Sequence, residues 1–411
     1  MNRVVITGIG AVTPLGTGVD KFWNNVKEGK CAIDFIESFD TEKFKVKIAA
    51  EAKDFKPEDY IDKREIRKLD RFSQFALAAS KEAIQDSNID LEKVNKEKFS
   101  VIIGSGIGGL STLEKEHSKM VSKDTTRVSP FMIPMMISNL AAGNVAIKYG
   151  AKGICNTVVT ACASGTNAIG EAFRHIKYGY SDISITGGSE AGITPLAIAG
   201  FTSLTALNAN NDPKRASIPF DKERAGFVMG EGAGILIIES LDHALARGAK
   251  IYAEVVGYGA TCDAYHITSP APGGEGAARS MIMAIEEAGI TKEEVSYINA
   301  HGTSTPYNDK FETAAIKSVF GEVAYKIPVS STKSMIGHLL GASGAVEAIA
   351  CVKSIQENFV HETVGLQVDD EELDLDYVKG NGREHTVNYT LSNSLGFGGH
   401  NASLLLKKWS E

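Results

Sequence analysis

An α/β fold with buried sheets is predicted by three features of this 411-residue chain. Short β-branched runs alternate with amphipathic helical stretches. Many of the runs end in glycine or other small residues, where folds of this class place ligand sites. A segment of the second half also repeats one of the first. With 43% hydrophobic residues the chain can build a large core, and it is longer than one ordinary domain.

The elements follow in order. "RVVITGIG" reads as a first strand and turn, because Thr7, Gly8, Gly10 and Pro14 interrupt the apolar N-terminus and argue against a signal peptide. "DRFSQFALAASKEAIQDSNI" puts Phe72, Phe75, Ala79 and Ala83 at helical spacing. "FSVIIGSG", "NTVVTACA", "DISITGG" and "AGILIIES" read as strands, as do "AEVVGYG", "VSYINAHG", "IPVSSTK" and "VNYTLSNS" further on. "EGAARSMIMAIEEAGI" is a second helix, with Gly289 where a C-cap belongs.

The repeat lays "ACASGTNAIGEAFRHIK" (161 to 177) over "LGASGAVEAIACVKSIQ" (340 to 356). Ala163-Ser164-Gly165 matches Ala342-Ser343-Gly344, Arg174 matches Lys353, and Gly341 stands where Cys162 stands. This implies two similarly folded halves, 1–249 and 250–411. No Pro/Ser linker lies near 245 to 251, so the halves should pack together.

A net charge of −8 argues against general nucleic-acid binding, which needs a basic face. No apolar run reaches the roughly 18–20 residues of a membrane span. The five cysteines are scattered, with no CxxC, which suits a reducing cytosol and excludes a tetrahedral cysteine zinc site.

"GSGIGG" (104 to 109) satisfies G-x-G-x-x-G, but it comes a hundred residues too late for a first βα turn. Close backbone packing is the expectation there. Cys162, in "VVTACASG", has two readings. Most free cysteines are buried and inert. Here, small neighbours permit a tight turn into a helix, whose positive end lowers a thiol pKa and favours thiolate. The Cys162 N–H could then serve an oxyanion. His301, at the end of "VSYINA", and His338, in "STKSMIGHLLGASG", are the histidines in glycine-rich turns. His117, His175, His243, His361 and His385 are expected at the surface. "GFGGHN" (396 to 401) suggests a loop whose backbone approaches a ligand, with Phe397 as a gate and Gly398 beside it.

Cysteine in "TACASG", histidine in "NAHGTSTPYND", lysine and histidine in "STKSMIGHLLGASG", and "NSLGFGGHN" occur in the order seen in β-ketoacyl-acyl-carrier-protein synthases, and the chain resembles that family over essentially its whole length. The resemblance implies a thiolase-like fold of two duplicated halves in a five-layered αβαβα arrangement, in a cytoplasmic homodimer with no nucleic-acid or membrane partner. It implies that Cys162 takes an acyl group from an acyl carrier protein. His301 and His338 would stabilise the enolate as malonyl carrier loses CO2. The N–H groups of Cys162 and Phe397 would form the oxyanion hole. Lys333, paired with Glu312, would organise the histidines. Thr303 and Thr305 match positions contacting the pantetheine arm, and Ile107 a tunnel-gating position. Asn299, Glu347, Ser392 and Asn393 resemble a structural Na+ or K+ site. No other cofactor is implied, since 4′-phosphopantetheine arrives on the carrier.

An acidic carrier calls for a local basic patch. "DKREIRKLDR" supplies Lys63, Arg64, Arg67, Lys68 and Arg71, of which Arg64, Arg67 and Lys68 match carrier-contacting positions. Ile218 stands where relatives commonly have arginine, and Met132 where they can have phenylalanine near the acyl tunnel. A polyketide or specialised ketosynthase with the same Cys-His-His set is the alternative function.

Overall fold

The computed structural model describes residues 1–410. Its main sheet has a strand order that reads the same from both ends. One half runs Val4–Thr13, Gly232–Ser240, Ile183–Glu190, Phe99–Gly104 and Cys155–Asn156. The other runs Ala253–Cys262, His400–Lys408, Tyr389–Gly396, Tyr297–Asn299 and Val329–Ser330. In each half the first three strands pair antiparallel and the last two add parallel. Among the named strands of the main sheet, the halves pair where Val4–Ile6 meet Ala253–Val255, so there are in effect two five-stranded sheets meeting at one corner.

Strand alternation then builds three cores. Along Gly232–Ser240, Leu236 and Ile238 face a central cluster, while Ile235 and Ile237 face an outer one. In the second half Leu404 and Leu406 face the same centre and Leu405 faces a third cluster. The central layer is filled by helices Ser164–Lys177 and Ser343–Glu357, through residues such as Ile169, Phe173, Val346 and Ile349. Helix Arg71–Ser87 covers one outer face with Phe72, Phe75, Ala79 and Ala83; Glu275–Ala288 and Pro306–Phe320 cover the other. Helix, sheet, helix pair, sheet, helix is the five-layered αβαβα arrangement. Each buried aliphatic side chain contributes about 1.5–3 kcal/mol.

Gly8 and Gly10 make the first strand and its covering helix meet. A Cβ at Gly10 would lie 2.1 Å from the Ala79 carbonyl oxygen, and one at Gly8 2.2 Å from that of Ala83. The helix Glu275–Ala288 ends on Gly289 in the left-handed region, φ 68°, as its sequence predicts.

One predicted strand is shorter than expected. "NTVVTACA" is extended only at Cys155–Asn156, paired with Val101 and Ile102 at the sheet's edge. With no strand beyond it, residues 157–160 leave the ladder, and Val159 is 55% exposed despite its β-branched side chain. Among the described residues, no helix is long and apolar enough to cross a membrane.

Candidate active site

Both copies of the repeat form the same local structure. Ala161–Ala163 is a 3₁₀ turn leading into Ser164–Lys177; Leu340–Ala342 is one leading into Ser343–Glu357. Each turn opens on a non-glycine residue in the left-handed region, Ala161 at φ 50° and Leu340 at φ 49°. Cys162 follows in the first copy and Gly341 in the second.

The first turn presents Cys162 to a cavity of about 360 Å³, which His301, His338, Phe227, Phe397, Thr303 and Thr305 also line. The thiol is buried and takes backbone N–H contacts from Phe397 and from Cys162 itself. Burial pushes its pKa up to about 11, against the pull of the Lys333 charge and of those N–H groups. The expectation of a thiol acidified by the helix start is therefore corrected: loss of solvent outweighs the helix end, and the resting group is a thiol.

His338 is fixed through its backbone. Its N–H donates to Val228 O at 2.7 Å, and its carbonyl accepts from Gly230 N–H at 2.8 Å. Its Nδ1 receives the Leu340 N–H at 3.3 Å and lies 2.9 Å from the Ser343 hydroxyl. Nδ1 is thus an acceptor, and the proton belongs on Nε2. His301 follows strand Tyr297–Asn299, and its ring lies 5.2 Å from that of His338, edge to face. Its Nδ1 has no protein partner. Burial and the Lys333 charge hold both imidazoles well below the usual histidine range, so both are neutral at pH 7.

Lys333 does not pair with Glu312. Its Nζ meets Glu347 Oε1 at 2.5 Å, with both side chains almost wholly buried. Glu347 projects from the central helix towards Lys333. Glu312 lies beneath the His301 loop, accepting the N–H groups of His301 and Gly302 at 2.7 and 2.8 Å. Burial lifts the Glu312 pKa to about 7. Lys333, ion-paired with Glu347, acts on the histidines and Cys162 through its charge.

Asn299 and Ser392 are paired across adjacent parallel strands. Among the described residues, Asn299 Oδ1 and Glu347 Oε2 are buried without a hydrogen-bond partner, while Ser392 Oγ meets only the buried Cys351 thiol. Asn393 differs, because its side chain is committed to Glu312 and Ser403. Ile107 packs in the apolar cluster with Cys162 and Leu340, outside the cavity wall. Gly398, at φ 86°, donates its N–H to Ile267 O and shapes the Phe397 loop without lining the cavity.

Arg64, Arg67 and Lys68 are exposed around the short helix Lys63–Ile66, with Lys68 held by Glu65 at 3.0 Å. Arg71 leaves this patch. It turns inward to pair with Glu231 at 2.7 Å and sits over the Phe75 ring. Ile218 is buried, so its side chain is not part of the exposed surface. Met132 lies on the short helix Met132–Met136, away from the cavity wall.

Sequence reasoning missed two buried polar centres. His361, expected at the surface, is fully buried; its Nδ1–H donates to Glu362 O, and its Nε2 accepts from the Thr332 hydroxyl at 3.0 Å. Glu190 gathers the amides of "GSGIGG": its carboxylate accepts N–H groups from Gly106, Ile107 and Gly108. The glycine loop thus cradles an internal carboxyl group. A lone acid at the end of the apolar strand "DISITGGSE" was the available signal.

Comparison with known proteins is consistent along the chain. The family described as "Beta-ketoacyl synthase, N-terminal domain" matches residues 1–244, and "Beta-ketoacyl synthase, C-terminal domain" matches 252–367. A 3-oxoacyl-[acyl-carrier-protein] synthase 2 of Synechocystis sp. is 53% identical over 408 residues, 99% of this chain and 98% of that one. The protein of the same name from Staphylococcus aureus strain COL is 53% identical over 407 residues, with the same coverage. Among solved structures, a β-ketoacyl synthase from Burkholderia phymatum superposes with TM-score 0.92 at 35% identity, covering both chains fully. A type II polyketide ketosynthase, solved in complex with its acyl-carrier protein and bound to a hexaketide, gives TM-score 0.90 at 37% identity, also with full coverage.

Proposed function

This chain belongs to the β-ketoacyl synthase family, and we propose that it elongates carrier-bound acyl chains by two carbons through decarboxylative condensation, in the manner of a fatty-acid 3-oxoacyl synthase 2. The observation that carries this is the meeting of one thiol, two neutral histidines and two backbone N–H groups in a single cavity.

The chemistry divides into two steps. In the first, Cys162 Sγ attacks the acyl thioester on the carrier. The new C–S bond forms as the pantetheine C–S bond breaks, and the thiol proton leaves with the departing pantetheine sulfur. Exchange between thioesters is nearly isoenergetic, which suits cysteine over serine. In the second, malonyl carrier enters. Neutral His301 and His338 Nε2–H donate to its thioester carbonyl, so charge can build there as CO2 departs. The enolate pair attacks the acyl-cysteine carbonyl, whose oxygen faces the N–H groups of Cys162 and Phe397. A C–C bond forms, the C–S bond breaks, and the leaving Cys162 thiolate takes up one proton from solvent. Each oxyanion donor is typically worth about 3 kcal/mol. Histidines kept neutral by burial are donors in this scheme; a strong base is not needed.

Thr303 and Thr305 on the cavity wall suit the amides of a pantetheine arm. Exposed Arg64, Arg67 and Lys68 suit an acidic carrier. The buried oxygens of Asn299, Glu347 and Ser392 are the ligands this reading assigns to a Na+ or K+ ion, which would hold the Lys333–Glu347 pair in place; the Asn393 side chain is committed elsewhere. A second copy of the chain could cover exposed apolar side chains such as Val121, Phe131, Ile133, Ile147 and Val159. The cytoplasm suits five free cysteines.

The test is a reconstituted reaction with acyl carrier and malonyl carrier labelled at the free carboxyl. One labelled CO2 should be released per two-carbon extension. Release of free fatty acid without malonyl consumption would overturn the proposal, and repeated condensation without reduction would favour the polyketide alternative.

A further inference from the structure

The second half holds a copy of the Cys162 turn, and the place of its cavity is filled. Glu190 ends strand Ile183–Glu190, the counterpart of Tyr389–Gly396, which leads to Phe397 beside Cys162. The Glu190 carboxylate lies against Gly341. Its Oε2 accepts the Gly341 N–H at 3.1 Å and the Gly106 N–H at 2.6 Å. Its Oε1 accepts from Ile107 N–H at 3.1 Å, Gly108 N–H at 3.2 Å and the Ser105 hydroxyl at 3.1 Å. Gly341 N–H is the repeat's equivalent of the Cys162 N–H, and it already donates to a carboxyl oxygen. The fit excludes any side chain at 341: a Cβ there would lie 2.4 Å from Gly106 N and 2.7 Å from Glu190 Oε2.

We propose that Glu190 is a positioning residue for condensation, a built-in carboxylate that occupies the second half's copy of the oxyanion hole and locks the turn that sets His338. The link to the chemistry is short. Gly341, bonded to Glu190, directly follows Leu340, whose N–H fixes the acceptor state of His338 Nδ1. On the other side, Glu190 holds the backbone of Ile107, which packs beside Cys162. The carboxylate therefore ties a loop of the first half to a turn of the second, with one reactive group beside each. Removing it leaves five buried donors without an acceptor and frees the Leu340–Gly341 peptide, so the histidine side should suffer more than the cysteine side. This rests on the assignment of Cys162 as the acylated nucleophile.

The test is Glu190→Ala, assayed separately for acyl transfer to Cys162 and for malonyl-carrier decarboxylation, with sodium formate or an equal concentration of sodium chloride. Decarboxylation should fall about 100-fold, the usual cost of a reacting group held out of place. Acyl transfer should fall by a smaller factor. Formate, one carboxylate small enough for the vacated space, should restore decarboxylation and raise the variant's thermal midpoint; chloride should do neither, and wild type should not respond. Glu190→Gln, which fills the space with an amide, should lose decarboxylation without formate rescue. Near-wild-type rates in Glu190→Ala, or a folded Glu190→Ala that formate leaves unchanged, would overturn the proposal. If Glu190→Ala does not fold, Glu190→Gln decides: an equal loss in both partial reactions, or none, counts against it. Wild type that transfers no acyl group to Cys162 would overturn the underlying assignment instead.

Discussion

In the first half, the turn Ala161–Ala163 presents a cysteine to an open cavity of about 360 Å³; in the second, Leu340–Ala342 presents a glycine to a carboxylate. Sheet order, the left-handed opening residue and the following helix are shared. What separates the copies is one side chain on the turn and one acid on a neighbouring strand. A turn that frees a backbone N–H at a helix start attracts negative charge wherever it occurs. In one copy the turn faces a cavity, and in the other a buried carboxyl group satisfies it.

The comparison breaks most visibly at the nucleophile. Cys162→Gln should abolish condensation, a loss on the order of 10⁴-fold or more, while malonyl decarboxylation persists or rises, because a neutral amide resembles the acylated cysteine. Loss of decarboxylation in a folded variant would contradict the division of labour between the halves. Equivalent positions should also differ in tolerance. Gly341→Ala forces a methyl against Gly106 N and Glu190 and should cost about 2–3 kcal/mol in urea unfolding, whereas Cys162→Ala, facing a cavity, should cost only about 1 kcal/mol.

Smaller effects sharpen the comparison at the surface and in the second half's polar core. Arg67→Glu, on the exposed patch of the first half, should raise KM for acyl carrier about tenfold with kcat little changed, and added salt should shrink the difference. His361 belongs to the second half, where burial pushes it down to about 4. The unfolded chain, with an ordinary histidine, binds that proton first, so stability is complete above about pH 6.5 and falls as pH drops towards 4, by at most about 1.4 kcal/mol per pH unit. His301 and His338 act in the same direction. Glu312, raised to about 7 by burial, acts in the opposite sense: its contribution is present at low pH and lost as pH rises towards 7. Denaturant unfolding from pH 4 to 7 should therefore show a shallower acid limb in His361→Gln than in wild type.

Much of this was legible in the sequence because it rests on local pattern. The 3.6-residue spacing of Phe72, Phe75, Ala79 and Ala83 marks a helix that is observed, and the repeat at 161 and 340 marks two turns that share backbone angles. Cys162, His301 and His338 stood out by their settings at the mouths of turns, and the fold brings them to one cavity. Other features depend on partners distant along the chain. Glu347 and Glu312 are both acids on helices, and only their orientation shows which meets Lys333. Arg71 reads as one more cation in a basic run until Glu231, 160 residues away, draws it inward. Cys162 sits at a helix start, as read, but its pKa is governed by how deeply the cavity excludes water, which no spacing reveals. His361 looked exposed because polar Glu362 and Thr363 follow it, and its buried side-chain partners, Thr332 and Tyr297, lie elsewhere in the chain.

The most direct test of the account is where the acyl group goes. Wild-type protein incubated with acyl carrier thioester, without malonyl carrier, should gain one acyl mass, located by peptide mass spectrometry on Cys162, and should lose it when malonyl carrier is added. Acylation at another residue, or turnover with Cys162 never modified, would contradict it.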